Sequence, residues 1–150
     1  MLELRFHGRG GQGAVTSAEL LALAAIAQGK FAQAFPSFGP ERRGAPVIAY
    51  ARIDEKQIRN RTAVTTPNAV LVLDPSLLSI VNTSDGLAGN GFQVVNSTKT
   101  AAELKDEYGL AGKLAVVNAN HIAIEEIGRA ITNTTLLGAL VKATGLVERD

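Results

Sequence analysis

Gly8-Arg9-Gly10-Gly11-Gln12-Gly13 spells G-x-G-x-x-G near the amino terminus. The chemistry suited to that pattern is anion binding. Glycines let the backbone turn tightly and approach a ligand, and their N–H groups, with the positive end of a following helix, receive a phosphate. Fifteen glycines in 150 residues make chance matches easy, so the flanks decide. Leu2, Leu4 and Phe6 alternate with Glu3, Arg5 and His7, the period of a half-buried strand. From Ala14 the sequence AVTSAELLALAAIAQ takes a 3.6-residue period, and Gly29 follows as a helix stop. Strand, glycine turn and helix would hold a phosphate at the carboxyl edge of a sheet. A glycine turn without a ligand is the plainer alternative.

A dinucleotide site for NAD would also place a carboxylate at the end of the second strand, about 20 residues on. None stands around Phe35 to Phe38; the next charges are Glu41, Arg42 and Arg43, in the turn-rich stretch PSFGPERRGAP. Arginine forks bind phosphate bidentately, so a glycine loop with Arg42-Arg43 favours NADP or coenzyme A over NAD. The alternative is that these arginines form a solvated loop or a subunit contact held by Glu41.

Other candidates carry less. Asp74, Asn96, Asn118 and Asn120 fall at predicted strand ends, where ligands bind in open α/β sheets, but each is also a ready helix N-cap. His7 reads as a hydrogen-bonded strand-end histidine and His121 as a helix-start residue without metal-ligand spacing. Thr16 and Ser17 lie a helical turn past the glycines with no base at hand. The chain has no cysteine, which removes disulfides, thiolate zinc, a cysteine nucleophile and cysteine ligation of iron–sulfur clusters. Its net charge of +1 gives no global footprint of a nucleic-acid or membrane-surface binder. The longest apolar stretch, residues 20–27, is far short of the ~20 residues of a spanning helix, and the expectation is a cytoplasmic protein. Asn-x-Ser/Thr matches at Asn60, Asn82, Asn96 and Asn133 are taken as chance.

The elements that must position these residues alternate. Strands are predicted at residues 31–35 and 47–53; residues 69–73 form a continuous apolar run ending in Asp74-Pro75, suiting a strand buried on both faces and a helix capped by Asp74. A strand at 92–95 leads to a helix opened by Thr100 and Glu103 in capping-box spacing, and a strand at 114–117 to a helix near 122–127. A last helix spans 133–144, with Leu136, Leu137, Leu140 and Val141 on one stripe and Gly145 after it. The expected fold is one α/β domain, a three-layer, Rossmann-like α/β/α sandwich around a mostly parallel sheet.

The blocks HGRGGQGAVTSAELLALAA, AFPSFGPERRGAPVIAYARI, VLVLDPSLL, VVNAN and NTTLLGALVKATGL resemble the gamma subunits of 2-oxoacid:ferredoxin oxidoreductases, most closely the pyruvate type (pyruvate synthase). Gly44-Ala45 stands where relatives acting on other oxoacids often carry two glycines. The resemblance implies a gamma-type domain (catalytic domain III) over residues 1–150, in an enzyme that converts a 2-oxoacid and coenzyme A to acyl-CoA and CO2 and reduces ferredoxin. It implies coenzyme A on this chain, and thiamine diphosphate, magnesium and 4Fe-4S clusters on partner alpha, beta and delta-type subunits. Carried over as the coenzyme loop are Gly8, Arg9, Gly10, Gly11, Gln12 and Gly13. Ser37, Gly39, Glu41, Arg42 and Arg43 follow as a second loop at the ligand or a subunit interface. No catalytic group and no metal ligand are expected on this chain. Family chains continue past a segment like ATGLV into a helical tail, whereas this sequence ends at Glu148-Arg149-Asp150; either the tail is absent or the chain is a piece of a longer one. The alternatives kept open are a stand-alone NADP-dependent reductase and a purely structural subunit of the same complex.

Overall fold

A computed structural model describes residues 1–37 and 43–145. Its elements are β1 (Leu2–Arg9), α1 (Ala14–Ala27), β2 (Phe31–Pro36), β3 (Pro46–Asp54), β4 (Ala69–Val72), β5 (Phe92–Asn96), α2 (Ala101–Tyr108), β6 (Lys113–Val117), α3 (Ala119–Ile127) and α4 (Asn133–Thr144), with a 3₁₀ turn at Pro75–Ser79. Six strands form one sheet in the order β2-β3-β1-β4-β5-β6. β1, β4, β5 and β6 pair in parallel, and β3 runs against both β1 and β2. The expected mostly parallel α/β architecture is therefore present, with one reversed strand. The reversal has a simple cause: fewer than a dozen residues separate β2 from β3, too few for the crossover that a parallel neighbour needs.

Alternating residues of the central strands serve two cores. Leu4, Phe6, Leu71, Leu73 and Val94 face α1 and α4, where Ala14, Ala18, Leu21, Leu136 and Leu140 are buried. Val70, Val72 and Val95 face the opposite layer, built by Leu78, Leu104 and Leu110. Alanines bring α1 close to the sheet over Ala49 and Ala51 of β3. The predicted capping box of α2 is complete: Thr100 Oγ1 accepts from Glu103 N–H, and Glu103 accepts from Thr100 N–H. Asp74 does act as a cap after β4, but on a five-residue 3₁₀ turn in place of the α-helix predicted there. Among the described residues no helix is long and apolar enough to cross a membrane.

The half-buried reading of β1 needs correction. Arg5 and His7 are buried on the face expected to meet solvent, and Arg52 beside them on β3 is 1% exposed. Irregular chain covers this face where a helix would otherwise lie. Arg5 Nη2 donates to the carbonyls of Thr83 (2.9 Å) and Asp85 (2.6 Å), and its Nε donates to His7 Nε2 (3.0 Å). Arg52 Nε donates to Glu3 Oε2 at 2.8 Å, and its guanidinium lies 5.6 Å from the centre of the Phe35 ring. Loop carbonyls thus satisfy buried cations that would otherwise be costly to desolvate.

His7 is neutral as a result. Burial first, and the Arg5 charge second, push its pKa down to about 3. The unfolded chain, with an ordinary histidine, therefore binds more protons between about pH 6.5 and 3, and stability falls with pH across that window. We predict a loss of roughly 1.6 kcal/mol between pH 6.5 and 5 that belongs to this residue, the slope approaching about 1.36 kcal/mol per unit once the unfolded histidine is fully protonated. Urea unfolding of the wild type and of His7→Gln, which keeps an acceptor for Arg5 but does not titrate, checks it. The variant should lack that increment, and parallel pH curves would refute the assignment.

Candidate functional site

β1 carries the chain through Gly8 and Arg9 to the carboxyl edge of the sheet, where Gly11 (φ +91°) and Gly13 (φ +83°) turn it into α1. Neither angle suits an L side chain. Gly13 is the N-cap of α1 and no side chain caps this helix, so its first-turn N–H groups await a partner. α1 then packs on one face of the sheet, while the 3₁₀ turn after β4 packs on the other. The carboxyl ends of β1 and β4 therefore flank a topological switch point, the place where open α/β sheets bind ligands.

The side chains of the glycine block are tied down. Gln12 Oε1 accepts from Arg9 N–H at 2.7 Å, and Gln12 Nε2 donates to Asp74 Oδ2 at 2.7 Å. Arg9 reaches Ser76 Oγ through Nε (3.2 Å) and Nη2 (2.9 Å) and the Gly44 carbonyl through Nη1 (3.0 Å), with its Nε 3.3 Å from Asp74 Oδ2. These bonds use three of the five N–H donors of the guanidinium. Burial works to raise the Asp74 pKa, but hydrogen bonds from Ser76 and Gln12 and the Arg9 charge outweigh it and hold the carboxyl below its ordinary range.

The second loop reaches the same place. Gly10 forms a parallel bridge with Arg43, Gly10 N–H donates to the Ala45 carbonyl (2.9 Å), and Gly44 N–H donates to that of Gly10 (3.2 Å). Arg43 is exposed beside the glycine block, as the sequence suggests. Ser37 is not brought to it: its N–H donates to Ile48 on β3, on the far side of that strand from β1. Gly39, Glu41 and Arg42 lie outside the described residues.

Two cavities flank Gly11. The smaller, about 290 Å³, lies over the first turn of α1 between Arg9, Gly13, Val15 and Thr16. The larger, about 380 Å³, lies over the ends of β4 and β5, bounded by Gln12, Asp74, Asn96, Asn120 and the approach to α4 at residues 130–132. Asn96 builds that wall by donating to the Leu73 carbonyl and to Asn120 Oδ1, each at 3.0 Å, and by accepting from Ala119 N–H at 3.1 Å. Asn118 caps α3, accepting from His121 N–H. Asn118 thus follows the capping alternative, whereas Asn96 and Asn120 serve as walls.

Among the described residues the arrangement offers backbone and guanidinium donors but no proton-transfer device. His7 is held neutral beneath Arg5, Ser17 Oγ donates to the Gly13 carbonyl, and exposed His121 pairs with Glu125. Among the described residues no three His, Asp or Glu side chains gather as a metal site. Sequence reasoning missed Ser76 and residues 130–132, because their part in the site depends on what the fold sets opposite them.

Residues 3–150 match the family described as "Pyruvate ferredoxin/flavodoxin oxidoreductase". The chain belongs to this family. It is 55% identical over 151 residues to the pyruvate/ketoisovalerate oxidoreductases common subunit gamma of Thermococcus kodakarensis, covering 100% of this chain and 82% of that one. It is 49% identical to pyruvate synthase subunit PorC of Methanothermobacter thermautotrophicus, over 100% of this chain and 80% of the relative. The crystal structure of pyruvate oxidoreductase subunit PORC of Thermotoga maritima superposes with a TM-score of 0.85 at 43% identity, covering 98% of this chain and 78% of that one. The resemblance drawn from the glycine and PSFGPERRGAPV blocks is thereby borne out, and with it an oxidoreductase subunit.

The two positive-φ glycines of the block differ in what surrounds them. A Cβ at Gly11 would meet nothing within 4 Å, whereas one at Gly13 would sit 2.6 Å from Nδ2 of the buried Asn133. Gly11→Ala is therefore expected to lose about 1–2 kcal/mol, the left-handed backbone cost alone. Gly13→Ala should lose at least about 1 kcal/mol more through overpacking. Urea denaturation of both variants decides, and equal losses would contradict this packing.

Proposed function

We propose that this chain is the coenzyme A-binding gamma subunit of a pyruvate-type 2-oxoacid:ferredoxin oxidoreductase. The observation that carries the reading is the smaller cavity: the uncapped start of α1, with Arg9 and Thr16 on its walls and Arg43 beside Gly10, in a chain whose relatives are gamma subunits of pyruvate oxidoreductases. Backbone N–H groups and the helix dipole favour negative charge, and two arginines add paired donors suited to phosphate oxygens.

In this proposal the chain binds and orients the acyl acceptor of the overall reaction, the conversion of a 2-oxoacid and coenzyme A to acyl-CoA and CO2 with electrons passed to ferredoxin. Thiamine diphosphate, magnesium and 4Fe-4S clusters belong to alpha, beta and delta-type partner subunits. A sequence without cysteine accords with that division, since cluster ligation needs thiolates. This chain's part is electrostatic: Arg9, fixed by Ser76 and the Gly44 carbonyl, presents its remaining donors from a preset position, which reduces the ordering cost of binding.

Isothermal titration of the purified chain tests the reading. Coenzyme A is expected to bind, and Arg9→Ala combined with Arg43→Ala to weaken it at least tenfold, about 1.4 kcal/mol. Equal binding by the double variant would remove the arginines from the site. Binding of NADP without coenzyme A would overturn the proposal in favour of a reductase.

A further inference from the structure

β2 is one edge of the six-stranded sheet, and β3 takes its inner side. Ser37 N–H donates to the Ile48 carbonyl at 2.8 Å, and stepping back by twos from there turns the backbone groups of Phe35, Gln33 and Phe31 toward Tyr50, Arg52 and Asp54. Ala32, Ala34 and Pro36 therefore turn theirs away from the sheet. Pro36 has no N–H to offer. Ala32 and Ala34 are left with outward N–H and carbonyl groups that no hydrogen bond reaches among the described residues.

Native sheets guard such edges with lysines, inward charges or bulges. The β2 sequence FAQAFP carries no charge, and its proline stands at one end only. The strand also matches itself. A two-fold axis through Gln33 sets Ala32 against Ala34 of a second copy, so each outward donor meets a carbonyl and each carbonyl a donor. Pro36 then falls opposite Lys30 of the second copy, whose N–H is already spent on the Ala25 carbonyl (3.1 Å), and both strands run out of donors at the same point. On the face away from α1, Phe31 is 48% exposed, and Phe35 lies with its ring 5.3 Å from that of Tyr50. The same axis brings Phe31 opposite Phe35 of the second copy and extends that aromatic row, a favourable cross-strand pair.

The helix layer fits the same joint. α1 packs over β2 and β3, so two copies joined at β2 would hold their α1 helices about two strand spacings apart, or ~10 Å, the ordinary separation of packed helices. Leu20, Leu23 and Ile26 of α1 are exposed and apolar, which suits that neighbourhood. We infer that β2 is a docking edge for a second copy of this chain, joined antiparallel about a two-fold axis through Gln33 into one continuous sheet. An unrelated strand could match the backbone groups, but the Phe31–Phe35 pairing and the coincident ends of the ladder come from two copies of one sequence. The inference goes beyond the coenzyme reading and does not depend on it.

Because the chain has no cysteine, a single introduced thiol reports its own neighbour. Cα atoms of a non-hydrogen-bonded antiparallel pair stand about 4.5 Å apart, within disulfide reach. Under mild oxidation the full chain carrying Gln33→Cys is expected to form a disulfide-linked dimer, while Ile124→Cys, at an exposed position on α3, stays uncross-linked. Sedimentation equilibrium of the unaltered chain should show a dimer at micromolar concentration. Ala34→Pro, which deletes an outward donor and no inward one, and Phe31→Lys, which places a charge at the joint, should each weaken it at least tenfold. Circular dichroism establishes that the variants fold, and if Ala34→Pro does not, the exposed Phe31→Lys decides. The inference is overturned if the unaltered chain is monomeric, if folded variants dimerise as tightly as the unaltered chain, or if Gln33→Cys cross-links no faster than Ile124→Cys.

Discussion

The Asp74 carboxylate joins the two loops that make the switch point. It accepts from Gln12 of the glycine block and from Ser76 of the turn after β4, and Arg9 lies against it at 3.3 Å. α1 leaves the sheet on one side of this joint and the 3₁₀ turn on the other, and the carboxylate, together with the bonds from Arg9 to Ser76, ties the two walls of the crevice across the sheet edge. The carboxylate is worth more here than a typical surface ion pair because Ser76 and Gln12 fix its geometry, and hydrogen bonds to a charged acceptor are the stronger ones. Arg9 is thereby held in one position by Ser76, the Gly44 carbonyl and Asp74.

A second constraint acts on the sheet itself. β3 runs antiparallel between β1 and β2, which draws the second loop back to the glycine block and places Arg43 against Gly10. Over β1 and β3 one sheet face meets loop segments at Arg5 and Arg52. Irregular segments close it, and their carbonyls are matched by Arg5 and Arg52. Each buried guanidinium satisfies backbone groups of a segment that has no regular partners of its own, which meets the requirement that buried polar groups be paired.

The opposite layer leaves apolar surface outward. Leu20, Leu23 and Ile26 of α1 and Ile122, Ile124 and Ile127 of α3 are exposed. A helix that is apolar all round is expected where both its faces meet protein, which accords with a chain whose relatives are subunits.

Local patterns carried much of this architecture unaided. The apolar run at 69–73, the capping box at Thr100 and Glu103, the limits of α4 and the glycine turn into α1 all rest on interactions within a few residues, which a sequence displays directly. Gly11 and Gly13 announced their positive φ by residue type, and Arg43 announced a cationic loop. Tertiary structure alone decided the burial of Arg5 and His7, because their alternation with Leu4 and Phe6 reads the same whether the second face meets water or a loop. It alone paired Gln12 with Asp74 and set Asn96 and residues 130–132 around one cavity, since these lie dozens of residues apart and meet only where parallel strands end at one edge. Propensity and capping act over a single turn of chain; the site is made by distant strand ends brought side by side, and no local rule records that proximity.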